Sequence, residues 1–141
     1  MYNLQRFLIA QETDYRVALE ELTSGKKRSH YIWYIFPQLK DLGRSPNALY
    51  YGIENLNEAK AYLNNETLKK RLIACCNAML LHKDKTALQI LGDIDCIKLK
   101  SSMTLFALAS EEENSIFHKV LNQFYKGEMD KITVSILELN N

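Results

Sequence analysis

The sequence predicts an all-α fold, a single compact bundle-like domain of about six to eight helices filling residues 1–141. Three observations carry that expectation. Helix breakers are scarce, with 5 Gly and 2 Pro in 141 residues. Apolar residues recur three and four positions apart in segment after segment, the spacing that lines one face of a helix. The segment with strand propensity, Val134 to Leu139, has no second convincing strand to pair with. A chain of this length can bury a real core but is too short for two ordinary domains, and no repeat, low-complexity run or Pro- or Gly-rich linker divides it.

Leu4, Phe7, Leu8, Gln11, Tyr15, Ala18, Leu19 and Leu22 line the first helix, with Asn3 as its expected N-cap and Ser24-Gly25 as its stop. Ser29 to Phe36 fits a short helix or a buried strand, since a brief apolar run satisfies both periodicities, and Pro37 ends it either way. Ser45 before Pro46 reads as an N-cap with Pro at the first helical position, opening a helix toward Tyr51 and Gly52. Asn55 with Glu58 is a capping box for a helix carrying Ala59, Tyr62 and Leu63. From Thr67, the positions Leu68, Leu72, Cys75, Cys76, Met79 and Leu80 mark a longer amphipathic helix reaching Lys83-Asp84. Thr86 to Leu91 adds a turn or two, stopped by Gly92. Cys96 to Ala109 places Leu99, Met103, Phe106 and Ala107 on a shared face, although Ser101-Ser102 also fits a break or a fresh N-cap. Ile116, Phe117, Val120, Leu121 and Phe124 stripe the next helix, closed by Gly127, and Asp130 begins the last, with Ile132, Ile136 and Leu139.

Charge narrows the function classes. Lys and Arg total 18 against 17 Asp and Glu, so there is no overall field to attract nucleic acid or an anionic membrane, and any anion site is local. The N-terminal residues lack the layout of a signal peptide and no apolar run approaches the roughly 20 residues of a membrane span, which points to the cytosol. Cys75, Cys76 and Cys96 are odd in number and lack ligand-like spacing, so they read as free, structural thiols in a reducing compartment. Asn65-Glu66-Thr67 matches a glycosylation acceptor only by chance in that setting.

Two segments have the residue types for chemistry. Lys26 to Gln38 concentrates three cations, His30, Tyr31, Tyr34, Phe36 and the sole tryptophan, Trp33. Aromatic faces that stack on a base and cations that meet phosphate are what a nucleotide-like ligand requires. The plainer alternative is a core aromatic cluster beside a solvated basic turn. His30 is a candidate general base because imidazole titrates near neutrality, whereas His82 and His118 lie on scaffold helices and a metal site is not expected. The second segment, Asp95 to Phe106, crowds Lys98, Ser101, Ser102 and Thr104 at the expected start of an apolar helix, where an anion can bind, or where hydroxyls merely cap. Arg44 before Ser45-Pro46 poses the same choice. No phosphate-binding glycine loop, serine-nucleophile elbow, paired thiol ligands or kinase signature is present.

These residues also carry a resemblance. Arg6-Phe7, Ala10-Gln11, Lys27-Arg28-Ser29-His30 through Trp33, Phe36-Pro37-Gln38, Leu42-Gly43-Arg44-Ser45, Glu58-Ala59, Ala61-Tyr62-Leu63, Arg71-Leu72, Asp95, Lys98-Leu99 and Ser101-Ser102-Met103-Thr104-Leu105-Phe106 resemble the bacterial family known as domain of unknown function 1810. The resemblance covers nearly the whole chain, departing at Lys70 and at Gly92-Asp93-Ile94-Asp95. It implies a small all-α protein and little about activity. The label calpastatin that some members carry does not fit this composition.

The resulting expectation is an enzyme or binding protein for an anionic, nucleotide-derived ligand, ADP-ribose-like or phosphorylated, with no cofactor. His30 and Asp95 are its candidate acid or base, and Arg28, Ser29, Trp33, Tyr34, Gln38, Arg44, Lys98, Ser101, Ser102 and Thr104 its candidate ligand contacts. The alternative is a protein–protein interaction module without catalysis, presenting Trp33 and Phe36 as an exposed hot spot. The first requires the two segments to share one cleft, and burial separates the readings, since a hot spot needs Trp33 and Phe36 on a convex, solvent-facing patch.

Overall fold

In the computed structural model, which describes residues 2–139, nine α-helices and one 3-10 turn succeed one another, and the described residues contain no strand beyond an isolated bridge. The helices are α1 (Gln5–Ser24), α2 (Ile32–Ile35), α3 (Pro46–Tyr50), α4 (Leu56–Asn64), α5 (Glu66–Leu80), α6 (Ala87–Leu91), α7 (Asp95–Ala109), α8 (Ile116–Tyr125) and α9 (Lys131–Leu139). The all-α expectation holds. The count passes the expected upper figure because Ile32–Ile35, open between helix and strand on periodicity, is a single helical turn. Val134 to Leu139, the stretch with strand propensity, is helical in α9, where Leu137 and Thr133 are buried.

Local chemistry explains most of the boundaries. Gly25, at φ +82°, closes α1 in the left-handed conformation that glycine adopts without strain. The carbonyls of that end also receive His82, whose Nε2 lies 2.7 Å from the Leu22 oxygen, and Lys85, whose Nζ donates to the Gly25 oxygen at 3.1 Å. Ser45 accepts from the Ala48 amide with Pro46 at the first position, as expected. Thr86 with Gln89 and Ser115 with His118 make reciprocal capping boxes. Asn3 does not cap α1, which begins after Leu4 without a side-chain cap; its carbonyl instead accepts from Arg6. Asn55 caps α4 through the Glu58 amide, but the Glu58 carboxylate reaches the amide of Glu54, one residue upstream of the expected box.

α7 is the axis of the bundle. Nine of its 15 residues are buried, and α2, α4, α6, α8 and α9 pack around it, while α1 lies along α5. A helix apolar on most sides is what a central position demands. One connected core runs through it, with Phe7, Tyr62, Phe106 and Phe117 in an aromatic row at centroid spacings of 5.1, 5.1 and 5.7 Å.

Two polar groups enter this core fully partnered. Gln11, inside the α1 stripe, donates from Nε2 to the Tyr34 carbonyl at 2.7 Å and to the Tyr62 hydroxyl at 3.0 Å. Arg6 donates to the carbonyls of Tyr50 and Gly52, each at 2.9 Å, and pairs with Glu58 at 2.9 Å, fixing the α3–α4 connection to the start of α1. Among the described residues no helix is long and apolar enough to cross a membrane.

Candidate functional site

The two chemically rich segments meet. Lys27 turns inward from the loop after α1, and its ammonium lies 2.8 Å from the Asp95 carboxylate and 4.7 Å from the centre of the Tyr31 ring. One helix turn further along α7, Lys98 Nζ sits 5.5 Å from the centre of the Trp33 ring. Trp33, Phe36 and Gln38 line a small cleft together with Lys98 from α7 and with Tyr51 and Gly52, which follow α3. The enclosed space is about 10 Å³, room for a single water.

Polarity in this cleft is one-sided. The indole Nε1 of Trp33 is buried without a hydrogen-bond partner, and indole can only donate. Lys98 is the sole charged residue among those lining the cleft, which includes no carboxylate.

Beside the cleft, Glu21 gathers the loop into its bound shape. Its carboxylate accepts from the amides of Arg28 and Ser29 at 2.7 and 2.9 Å and from the Ser29 hydroxyl. Burial by itself pushes the Glu21 carboxyl up, but these donors together hold it below its ordinary value. The Tyr31 hydroxyl lies near this carboxylate outside hydrogen-bond geometry and has no partner, and burial drives its pKa far up.

The candidate residues divide into three groups. Trp33, Gln38 and Lys98 line the cleft. Arg28, His30 and Arg44 are exposed, with side chains outside its lining. The remainder, Ser102 apart, have structural partners: Ser29 is bound by Glu21, Asp95 by Lys27, and the Tyr34 hydroxyl donates to Asp14, a carboxylate that adds to burial in raising its pKa. On α7, Ser101 donates to the Ile97 carbonyl at 3.3 Å and Thr104 to the Lys100 carbonyl at 2.8 Å. Thr104 also accepts from the Asp130 amide at 2.8 Å, joining α7 to the start of α9. Ser102 is fully buried and its hydroxyl is unpartnered.

The helix expected over Cys96 to Ala109 is present, and the alternative of a break or fresh N-cap at Ser101-Ser102 is not. α7 begins at Asp95 and runs through both serines without a break. At its start the amides of Ile97 and Lys98 are taken by the Ile94 carbonyl and that of Cys96 by Gly92. Ser101 and Ser102 therefore lie inside the helix and not at a helix terminus.

Sequence reasoning missed Tyr51 and Lys27 as site-forming residues and Glu21 as an organiser. Glu21 left one signal: a carboxylate in the last turn of a helix opposes the helix dipole and needs another reason to be there. The histidines away from the cleft have local partners, His82 at the α1 carbonyls and His118 in its capping box. A wider groove of about 470 Å³ between α4, α5 and the α7–α8 connection mixes Lys60, Lys69 and Lys119 with Glu111 and Glu112. It contains no buried unpartnered polar atom, so the smaller cleft carries the stronger chemical signal.

A family model described as "Protein of unknown function (DUF1810)" matches residues 1–137. The crystal structure of the conserved hypothetical protein Rv1873 from Mycobacterium tuberculosis is similar at a TM-score of 0.93 and 44% identity, covering 96% of each chain. No curated protein matches the chain.

Proposed function

The chain belongs to the DUF1810 family of proteins of unknown function, and on that premise we propose that it is a binding protein for an anionic small molecule, nucleotide-derived or phosphorylated, held at the cleft between Trp33 and Lys98. The observation that carries this is the unpartnered indole N–H of Trp33 in a wall that Lys98 and Gln38 share. A buried donor left unpaired costs about 1–3 kcal/mol, and a ligand acceptor recovers it. Trp33 and Tyr51 supply the aromatic surface on which a ring stacks, and Lys98 supplies the counter-charge. No reaction is assigned, since Asp95 is engaged with Lys27 and His30 stands outside the cleft lining. The single connected core supports one domain over the chain, and three free thiols suit the cytosol as its compartment.

The test is a thermal-shift screen against nucleotides, ADP-ribose derivatives and phosphorylated metabolites, repeated with Lys98→Ala and His30→Ala. A ligand that binds only the folded state raises the melting temperature by mass action. A gain lost in Lys98→Ala and kept in His30→Ala supports the cleft, and a flat screen favours an interaction module. That second reading has its own observation: Ile94 and Ile97, at the start of α7, are 65% and 63% exposed. Its original hot spot is narrowed, because Phe36 is only 1% exposed.

A further inference from the structure

Independently of the Trp33 cleft, we infer that the groove between α4, α5 and the α7–α8 connection is a second binding site, and that it takes a small amino-acid-derived zwitterion with one ammonium, two carboxylates and an apolar body. Space is the first reason. At about 470 Å³ the groove is as large as small-molecule sites, which span about 300–1,000 Å³, and it is open as it stands.

Its lining is mixed in polarity. Leu63 from α4, Ile73 from α5 and Ile116 and Phe117 from α8 are apolar, and a ligand with an apolar part removes that surface from water. Lys60, Lys69 and Lys119 come from three different helices, whereas Glu111 and Glu112 come from the loop after α7. All five are exposed. A single exposed charge is ordinarily solvated and needs no partner. Here both signs line one concavity, yet among the described residues no ion pair joins any of the five to another. Each sign is left for a ligand group of the opposite one.

The balance of charge selects the ligand. Three lysines against two glutamates leave an excess of one positive charge, which a ligand of net charge −1 bearing both signs complements. A simple anion would meet Glu111 and Glu112 as well as the lysines, and a simple cation would meet the lysines. A dipeptide of one apolar and one acidic residue with free ends has the required groups. Asn64 and Asn114, which also line the groove, each have a donor and an acceptor for its peptide bond.

The experiment titrates the full chain with phenylalanyl-glutamate, its N-acetyl form and phenylalanyl-glutamine. It is run at pH 6.5, below the ordinary α-amino pKa of about 7.7–8.0, and follows the backbone amide resonances of residues 110–117. Phenylalanyl-glutamate is expected to shift them saturably. Each of the other two, lacking one charge, is expected to bind about threefold more weakly, the worth of one exposed ion pair. Glu111→Gln with Glu112→Gln is expected to erase the penalty of acetylation. Lys60→Ala, Lys69→Ala and Lys119→Ala together are expected to erase the penalty of the glutamine exchange; circular dichroism checks that both variants are folded. Lys98→Ala is expected to change none of this. Equal binding of the three peptides, or an acetylation penalty that survives in the glutamate variant, overturns the zwitterion assignment. A response lost in Lys98→Ala, or no shift of residues 110–117 with any peptide, overturns the site and leaves the Trp33 cleft to its own test.

Discussion

Lys27 Nζ lies 2.8 Å from Asp95 Oδ2 with the two side chains 6% and 18% exposed, so the loop after α1 is pinned to the first turn of α7 by a largely buried ion pair. Six residues beyond Lys27 and three beyond Asp95, Trp33 and Lys98 meet, with Nζ 5.5 Å from the ring centre. Removing one partner of the buried ion pair strands the other charge. Asp95→Ala is therefore expected to cost about 3–5 kcal/mol in urea denaturation, and Lys27→Met with Asp95→Leu together to recover most of it. If Asp95→Ala leaves stability unchanged, Asp95 is available for chemistry after all.

Glu21 predicts a weakness toward acid. Its folded pKa is lower than the ordinary 4.5, so its hydrogen bonds stabilise the fold above that value and are lost as the pH falls through the lower folded one. Glu21→Gln is expected to flatten the loss of stability in that window, measured as denaturation midpoints between pH 5 and about pH 3. An unchanged acid slope in the variant would assign the loss to other carboxylates.

Ser102 and Thr104, two residues apart on α7, should respond in opposite ways. Ser102 has no partner to lose, so Ser102→Ala is expected to leave stability unchanged or raise it. Thr104 bridges Lys100 and Asp130, and Thr104→Val is expected to cost about 1 kcal/mol by removing the acceptor of the Asp130 amide. Thermal melts of the two variants decide the matter, and equal effects would contradict it.

Thiol counting tests the core. Burial pushes the Cys75 thiol up to about 12 and Cys76 well above its ordinary value, whereas Cys96 is partly exposed, its pKa raised by burial and by Asp93. An aromatic disulfide reagent at pH 8 is expected to titrate Cys96 slowly in the native protein and all three thiols in denaturant. Rapid native reaction of a second thiol would mean that α5 opens readily.

Helices whose apolar stripe and end signals lie within a few residues are legible in the sequence. α1, α5 and α8 follow their stripes, and Ser45, Thr86 and Gly25 act at helix ends as their chemistry dictates. α7 is less legible because a helix buried on most sides loses the periodicity that marks an amphipathic one, which is why Ser101-Ser102 reads as a boundary. Of the site, the sequence points to both walls and to Trp33, Gln38 and Lys98, but it also offers Ser101 and Thr104, whose hydroxyls bond to their own helix, and Arg28, His30 and Arg44, whose side chains lie outside the cleft lining.

The sequence by itself determines the helical class, most of the helix ends and the two segments where polar and aromatic residues concentrate, because propensity, periodicity and capping act between near neighbours in the chain. Only the tertiary structure decides that Lys27 finds Asp95, that Lys98 lies over Trp33 and that the indole N–H is left without a partner. Those outcomes depend on how α2 and α7 meet across the core, and the hydrogen-bonding state of a buried polar group is a property of whatever distant residues surround it.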